Sequence, residues 1–447
     1  MKFTDQQLAA IQSRHKNVVV CASAGSGKTS VLVERLCQLV IRDRIPINHI
    51  LAMTFTNDAA AEMKSRLRQR LLEQAQDEFI LSQLALLETA QICTIDSFCL
   101  NIVQNYYYKI PISYTMAQTI ASDLQKTQAF NQAYQKACVK MEPEAFRILN
   151  HYFAAFSKNE QDIQKNIEQC INIAWSKPDP KQWLKTVIQP ESPAIEQWML
   201  RYFQNQIQAI IDELAPIEDW HETLAQKKEG YQQILEQCTT YEDLYNMLPQ
   251  HIRITAKFPT VKQLSVDISS DDLKPYRESI QKRECGLMEV LFSKEQFIKD
   301  RKIMQPVYEA FYTLCIYTKD FFDQQKREME IIDFNDMEHF AYLLLQQDVI
   351  RQEVQDQYET ILIDEFQDTN DLQESIIKEF CRQDNVFRVG DIKQSIYGFR
   401  MARPDIMRGH MVSKDPHDQT LVLDQNFRSN ANIIEFNNEF YEKIMNT

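Results

Sequence analysis

Short apolar runs cluster near the two ends of the chain: "NVVVC" at 17, "HILAMTF" at 49, "QICTI" at 91, "TILIDE" at 360, "VFRVGD" at 386 and "LVLDQNF" at 421. They are rich in Val, Ile and Leu without clean alternation, which fits strands of a parallel sheet buried on both faces. The segments between them read as helices, so the ends of the chain form an α/β pattern. The middle differs. From 113 to 327 the apolar spacing is helical almost throughout. The clearest stripe runs Ile195, Trp198, Met199, Tyr202, Phe203, Ile207, Ile210, Ile211 and Leu214. It predicts one helix that begins at Ser192-Pro193 and stops before Pro216. The pattern therefore predicts an α/β domain that carries a large inserted all-helical domain.

Composition narrows this picture only a little. At 447 residues, with 44% hydrophobic and 25% charged positions, the chain has room for several cores. No run of 18 apolar residues suggests a membrane span, and "MKFTDQQLAAIQSRHKN" lacks the apolar centre of a secretory signal. A cytoplasmic protein without membrane contact is expected. Ten cysteines are scattered with no CxxC pair, so reduced and mostly buried thiols are expected. The net charge of −14 gives no overall attraction to nucleic acid, although a local basic groove can act within an acidic whole.

The seven glycines change the picture more, because Gly25, Gly27, Gly390 and Gly398 fall in two short motifs. Residues Ala22, Ser23, Ala24, Gly25, Ser26, Gly27, Lys28 and Thr29 match the phosphate-loop pattern G-x-x-x-x-G-K-[ST], except that alanine stands first. Such a loop aims backbone N–H groups and a helix N-terminus at phosphates. Lys28 adds a point charge, worth about 4 kcal/mol at roughly 4 Å with an effective dielectric near ~20. The Thr29 hydroxyl would ligate Mg²⁺. The strand "ILIDEFQDTND" ends in the matching acidic pair. Asp364 would hold the metal through water, and Glu365 would deprotonate the water that attacks ATP. ATP and Mg²⁺ are the expected cofactors. Gln367 and Asp368 read as links from this site to other parts.

"DEFQDTN" resembles motif II of the superfamily 1 helicases of the UvrD/Rep/RecB group. "FTDQQLAAI" resembles their glutamine motif, with Gln7 on adenine; "AMTFTNDAAAEMKSRL" resembles motif Ia and "TIDSF" motif Ib, with Asp96 where many relatives have histidine. "VGDIKQSIYGFR" resembles motif III and "LDQNFRS" motif IV. The resemblance implies a RecA-like P-loop NTPase domain and the start of a second one. It implies that Gln394 senses the γ-phosphate and that Arg428 reaches it from the second motor domain. It also implies DNA contacts by Phe55, Tyr397 and Phe399 through stacking, and by Thr56, Asn57, Ser97 and Arg66 with the neighbouring Lys64, Arg68 and Arg70 through phosphates. The expected domains are 1–112 and 328–412 for the first motor domain, 113–327 for the helical insertion and 413–447 for the beginning of the second.

Within that group, Lys393 in "GDIKQSIY" and the segment "EIIDFNDMEHFAYLLL" resemble the AddA/RecB branch, as does the long insertion. The resemblance implies an ATP-dependent DNA helicase, 3′ to 5′, within a helicase–nuclease that processes double-strand breaks for recombinational repair. Its partners would be single-stranded and duplex-end DNA and an AddB-like nuclease subunit. Motifs V and VI and a nuclease domain would follow motif IV, and these 447 residues contain none of them, so a fragment or truncated product is expected. The alternatives are a UvrD/Rep-type repair helicase, or a nucleotide- and DNA-binding module without turnover.

Overall fold

The structure is a computed structural model that describes residues 3–156, 161–266 and 268–445. Each of the six apolar runs forms a strand: β1 Asn17–Ala22, β2 Ile50–Thr54, β3 Ile92–Thr94, β4 Thr360–Ile363, β5 Val386–Gly390 and β6 Asp418–Leu423. They make one sheet in the order β3-β2-β4-β5-β1-β6, with every pairing parallel.

The strands show why the runs do not alternate. Val18 and Val20 of β1 face one core, together with Val31 and Leu36 of the helix Lys28–Ile41 and Met63 and Leu67 of the helix Asn57–Leu72. Val19, between them, faces a second core with Phe98 of the helix Ile95–Tyr106, Met337 of the helix Phe334–Leu345 and Leu372 of the helix Asp371–Phe380. Leu51 and Met53 of β2, and Ile361 and Ile363 of β4, join that second face, while Ala52 and Leu362 join the first. Helices on both faces leave no polar side on the central strands.

The chain divides into two compact units, 1–183 with 313–429 and 184–312 with 430–447. The sheet lies in the first. This differs from the domain limits read from the sequence in two places. Residues 113–183 and 313–327, read as part of the helical insertion, group with the sheet. Their contacts explain this: the Leu372 N–H donates to the Ser176 carbonyl at 3.1 Å, and His339 Nε2 meets the Trp175 carbonyl at 2.9 Å. Residues 418–423, read as opening a second motor domain, instead pair with β1 from Asn17↔Asp418 to Ala22↔Leu423. That pairing satisfies backbone groups along an edge of β1 that would otherwise lack partners.

The "DFND" segment has a structural task in this unit. The Lys326 ammonium, 2% exposed, lies 2.6 Å from Asp336 and 3.1 Å from Asp333. Burial acts to lower its pKa, but these carboxylates more than offset this and hold the lysine charged.

The second unit contains the helix Pro193–Leu214, bounded as the sequence predicts. Its buried stripe is narrower than expected: Met199, Phe203, Ile207, Ile210, Ile211 and Leu214 are buried, whereas Trp198 and Tyr202 are exposed. This core also encloses a polar node, in which Glu284 meets Lys227 at 2.6 Å and accepts from the Tyr231 hydroxyl at 2.5 Å. Among the described residues, no helix is long and apolar enough to cross a membrane.

The difference between central and edge strands gives a direct test. Leu362→Ala, at a fully buried position in β4, is expected to cost about 2–5 kcal/mol. Val422→Ala, at a half-exposed position in β6, should cost less than about 1 kcal/mol. Urea unfolding midpoints check both.

Candidate functional site

Strand order places the chemistry. β4, β5 and β1 are neighbours, so the loops after their carboxyl ends come together where ligands bind in open α/β sheets. These loops are the glycine loop after β1, Asp364-Glu365 after β4 and Asp391–Gln394 after β5. β2 and β3 lie on the other side of β4; Phe55 follows β2 directly, and Asp96 stands in the first turn of the helix that follows β3.

In the glycine loop, Gly25 and Gly27 have φ of 74° and 83°, the left-handed region that glycine tolerates. A Cβ on Gly25 would also lie 2.7 Å from Asn426 Oδ1. Asn426 holds the loop from the other side: its amide donates to the Ala24 carbonyl at 2.8 Å, and the Phe427 N–H donates to the Gly25 carbonyl at 2.8 Å. Ala22, where the motif has glycine, is the last residue of β1 and has no positive φ, so a side chain is tolerated there. Gln7 donates to the Ser26 carbonyl at 2.9 Å while its oxygen accepts from the Thr4 N–H at 3.0 Å. It braces the loop from the preceding helix.

A pocket of about 240 Å³ is lined by Gly25, Gly27, Lys28 and Thr29 of the loop, together with Arg66, Glu365, Gln394 and Arg428. Lys28 Nζ lies 3.4 Å from Glu365 Oε2 and 3.2 Å from Gln394 Oε1. Glu365 adopts φ 49° and ψ 43°, a strained conformation for a residue with a side chain. From there its carboxylate meets Lys28. Beside it, burial above all and then Glu365 push the Asp364 carboxyl up to about 6. No side chain caps the helix Lys28–Ile41, so its first-turn N–H groups can serve an anion. Among the described residues, no three His, Cys, Asp or Glu side chains form a ready metal cage. A cation held by one carboxylate, the Thr29 hydroxyl and ligand oxygens, as Mg²⁺ commonly is, fits this donor set.

A hydrogen-bonded relay leaves this pocket. Gln367 Nε2 donates to Glu365 Oε2 at 2.7 Å and to Asp368 Oδ2 at 3.1 Å, and its oxygen accepts from the Asp391 N–H at 2.9 Å. Ser395 Oγ donates to Asp368 Oδ1 at 3.2 Å, and Gln394 Nε2 to Asp391 Oδ2 at 2.7 Å. Gly390 leaves room for this, since a Cβ there would lie 2.4 Å from Gln367 Oε1.

Asp368 also lines a second cavity of about 270 Å³, with Phe55, Asp96, Glu338, Phe399 and Arg400 among its walls. The Phe55 and Tyr397 rings lie 4.3 Å apart, and Tyr397 and Phe399 5.6 Å apart. The Arg400 guanidinium is 5.4 Å from the Phe55 ring. The expected aromatic platform is thus one cluster.

Several other residues expected at DNA are differently engaged. Arg66 lines the Lys28 pocket and pairs with Glu62 at 2.5 Å. Arg68 pairs with Glu88, and Arg70 pairs with Glu34 and Glu73. Lys64 donates to the Glu88 carbonyl at 3.5 Å. Lys64 and Arg68, two positions either side of Arg66, lie off its helix face, and Arg70 lies one turn further along. The run acts mostly as a paired surface. Thr56 caps the helix Asn57–Leu72 by accepting from the Ala59 N–H, and Asn57 is exposed at its start. Ser97 Oγ lies 2.9 Å from Thr94 Oγ1.

Sequence reasoning missed Glu338 and Arg400. Glu338 is buried and bonded to Asp96, Asn370 and Gln373, the last at 2.7 Å. Burial first, then Asp96, pushes its carboxyl up to about 8. Arg400 follows Phe399 directly, and its position in motif III was the available signal.

The family model of the UvrD/REP helicase N-terminal domain matches residues 3–412. Curated relatives are named as subunits of an ATP-dependent helicase/nuclease. The one from Alkaliphilus oremlandii is 28% identical over 479 residues, covering 99% of this chain and 39% of that protein. The one from Thermoanaerobacter sp. (strain X514) is 31% identical, with 99% and 39% covered, and that from Lactobacillus johnsonii 30% identical, with 99% and 40% covered. The chain spans about two fifths of the length of these relatives.

The raised Glu338 pKa carries a pH signature. Between the ordinary value of 4.5 and about 8, the folded chain keeps a proton that the unfolded chain has released. Stability from this group is therefore complete below about 4.5 and is lost as pH rises through about 8. Glu338→Gln removes the titration. Its melting temperature should gain on the wild type as pH rises from about 5 to about 8, as scanning calorimetry would show.

Proposed function

The chain belongs to the UvrD/REP helicase family through its N-terminal domain, and we propose that it forms the ATP-hydrolysing, strand-gripping front of an ATP-dependent DNA helicase. The observation that carries this reading is the convergence on Lys28. Glu365, 337 positions away in sequence, and Gln394, 366 away, both reach its ammonium in a pocket that Arg428 also lines. A relay of side chains then runs from Glu365 to a cavity walled by aromatic rings. A motor that couples nucleotide state to grip on a strand needs both sites and a connection between them.

In this reading the glycine loop and the uncapped helix N-terminus bind the phosphates, and Lys28 exchanges its contact with Glu365 for the β- and γ-phosphates. Thr29 and Asp364 would hold Mg²⁺, which would supply charge neutralisation at the phosphates. Glu365, released from the lysine, accepts a proton from the attacking water. Gln394 and Arg428 face the γ-phosphate, and Arg66 adds a further positive charge to the same wall. Gln7 serves the adenine side while it braces Ser26. Phe55, Tyr397 and Phe399 stack on bases of a single strand at roughly 1–3 kcal/mol each, with Thr56, Asn57 and Ser97 at the phosphate side.

The reading extends to the longer protein of which this chain resembles the front. The curated relatives are helicase/nuclease subunits by name, and Lys393 and the "DFND" segment resemble the AddA/RecB branch. The proposed role is a cytoplasmic helicase–nuclease that unwinds duplex ends for recombinational repair, moves 3′ to 5′ and works with an AddB-like nuclease subunit. The segment after β6 then leads into the second motor domain.

Hydrolysis stimulated by single-stranded DNA, measured as phosphate release by the full gene product, tests the proposal. Lys28→Ala should lower the rate by on the order of 10²-fold or more. Glu365→Gln should lower it by roughly 10²–10⁴-fold while a fluorescent ATP analogue still binds. Undiminished hydrolysis in both variants would overturn the assignment.

A further inference from the structure

We propose that the cavity beneath Phe55 and Phe399 takes the base of one nucleotide of the bound strand, and that Asp96 reads its exocyclic amino group. The inference rests on the DNA reading above and goes beyond it by giving the grip a preference among bases.

Three kinds of chemistry meet in this cavity. Phe55 and Phe399 offer ring faces, and Phe399 is 74% exposed, free to stack on an incoming base. Arg400 and Lys126 stand in the lining as cations that can meet the phosphates flanking that base. Asp96, Glu338, Asn370 and Gln373 supply polar groups. The carboxylates Asp96 and Asp368 repel a phosphate from the interior, so the part of a nucleotide that fits is its uncharged base.

The hydrogen bonds set which edge of a base is accepted. Gln373 and Asn370 both spend hydrogen bonds on Glu338, and Glu338 is bonded to Asp96. Glu338, with its carboxyl pushed up to about 8, carries the proton of the pair at neutral pH. The Asp96 carboxyl is also raised by burial, with the nearby Arg400 charge opposing the rise; standing closer to solvent and to that cation, it takes the role of acceptor. It is the less buried member of the pair. A carboxylate oxygen pairs with the amino group of cytosine. Facing the carbonyl oxygen that uracil or thymine carries there, the same oxygen is left desolvated without a donor.

Oligo-deoxycytidine and oligo-deoxyuridine of equal length differ at that position of the base, so fluorescence anisotropy with the two strands at neutral pH tests the proposal on the wild-type chain. The cytidine strand should bind roughly five- to tenfold more tightly, the effect of one discriminating hydrogen bond. Asp96→Asn, whose amide can also donate, should bring the two affinities together, with nucleotide binding at the glycine loop confirming that the variant is folded. Equal affinities in the wild type, or a preference that survives in Asp96→Asn, would overturn the base-reading role and leave the DNA reading intact. Failure of both strands to bind at low salt would overturn the DNA reading and this inference with it.

Discussion

A lysine ammonium in a mostly enclosed pocket must find acceptors, and the glycine-loop pocket is organised around that requirement. The Lys28 side chain is 11% exposed, and it is met by Glu365 and Gln394. Each acceptor comes from the end of a different strand, so the contact exists only if β1, β4 and β5 are adjacent and parallel. The same contact explains how the site can respond to a ligand. On the proposed reading, a phosphate is a stronger partner for an ammonium than a single carboxylate at 3.4 Å, and its binding would free Glu365.

What is freed does not act alone. Glu365 shares Gln367 with Asp368 and with the backbone after β5, so a shift of one carboxylate changes hydrogen bonds in three loops. Asp368 borders the aromatic cavity, and Asn370, two residues on, reaches Glu338 and through it Asp96. The short segment after β4 therefore touches both sites. Charge-assisted hydrogen bonds of this type contribute about 1.5–3 kcal/mol each, and on the proposed reading that is enough for a ligand at one site to bias the geometry of the other.

Much of the site was legible from local spacing. The glycine loop, the acidic pair and the six strands are short-range patterns, and the structure forms a strand at each apolar run. The limits of the domains were less legible. Helices at 113–183 have the same periodicity as those at 184–312, and only their contacts, such as Leu372 to Ser176, group the former with the sheet. In the same way, Trp198 and Tyr202 fit a helical stripe, but their positions at its margin leave them exposed. Periodicity states that a residue is on a face, and not how far the neighbouring helices cover that face.

The sequence by itself determined which backbone can wrap a phosphate, which strands are buried on both sides, and which charged residues stand at their ends. Those properties depend on neighbours a few positions apart, through φ preference, side-chain period and helix termini. Only the tertiary structure decided that Arg66 turns to the Lys28 pocket while Arg68 and Arg70 find carboxylates, that β6 completes the sheet, and that Asp96 and Glu338 share a buried hydrogen bond. Those outcomes depend on which partners long-range packing brings within about 3–4 Å, and at that range burial and charge, rather than residue type, fix what a side chain does.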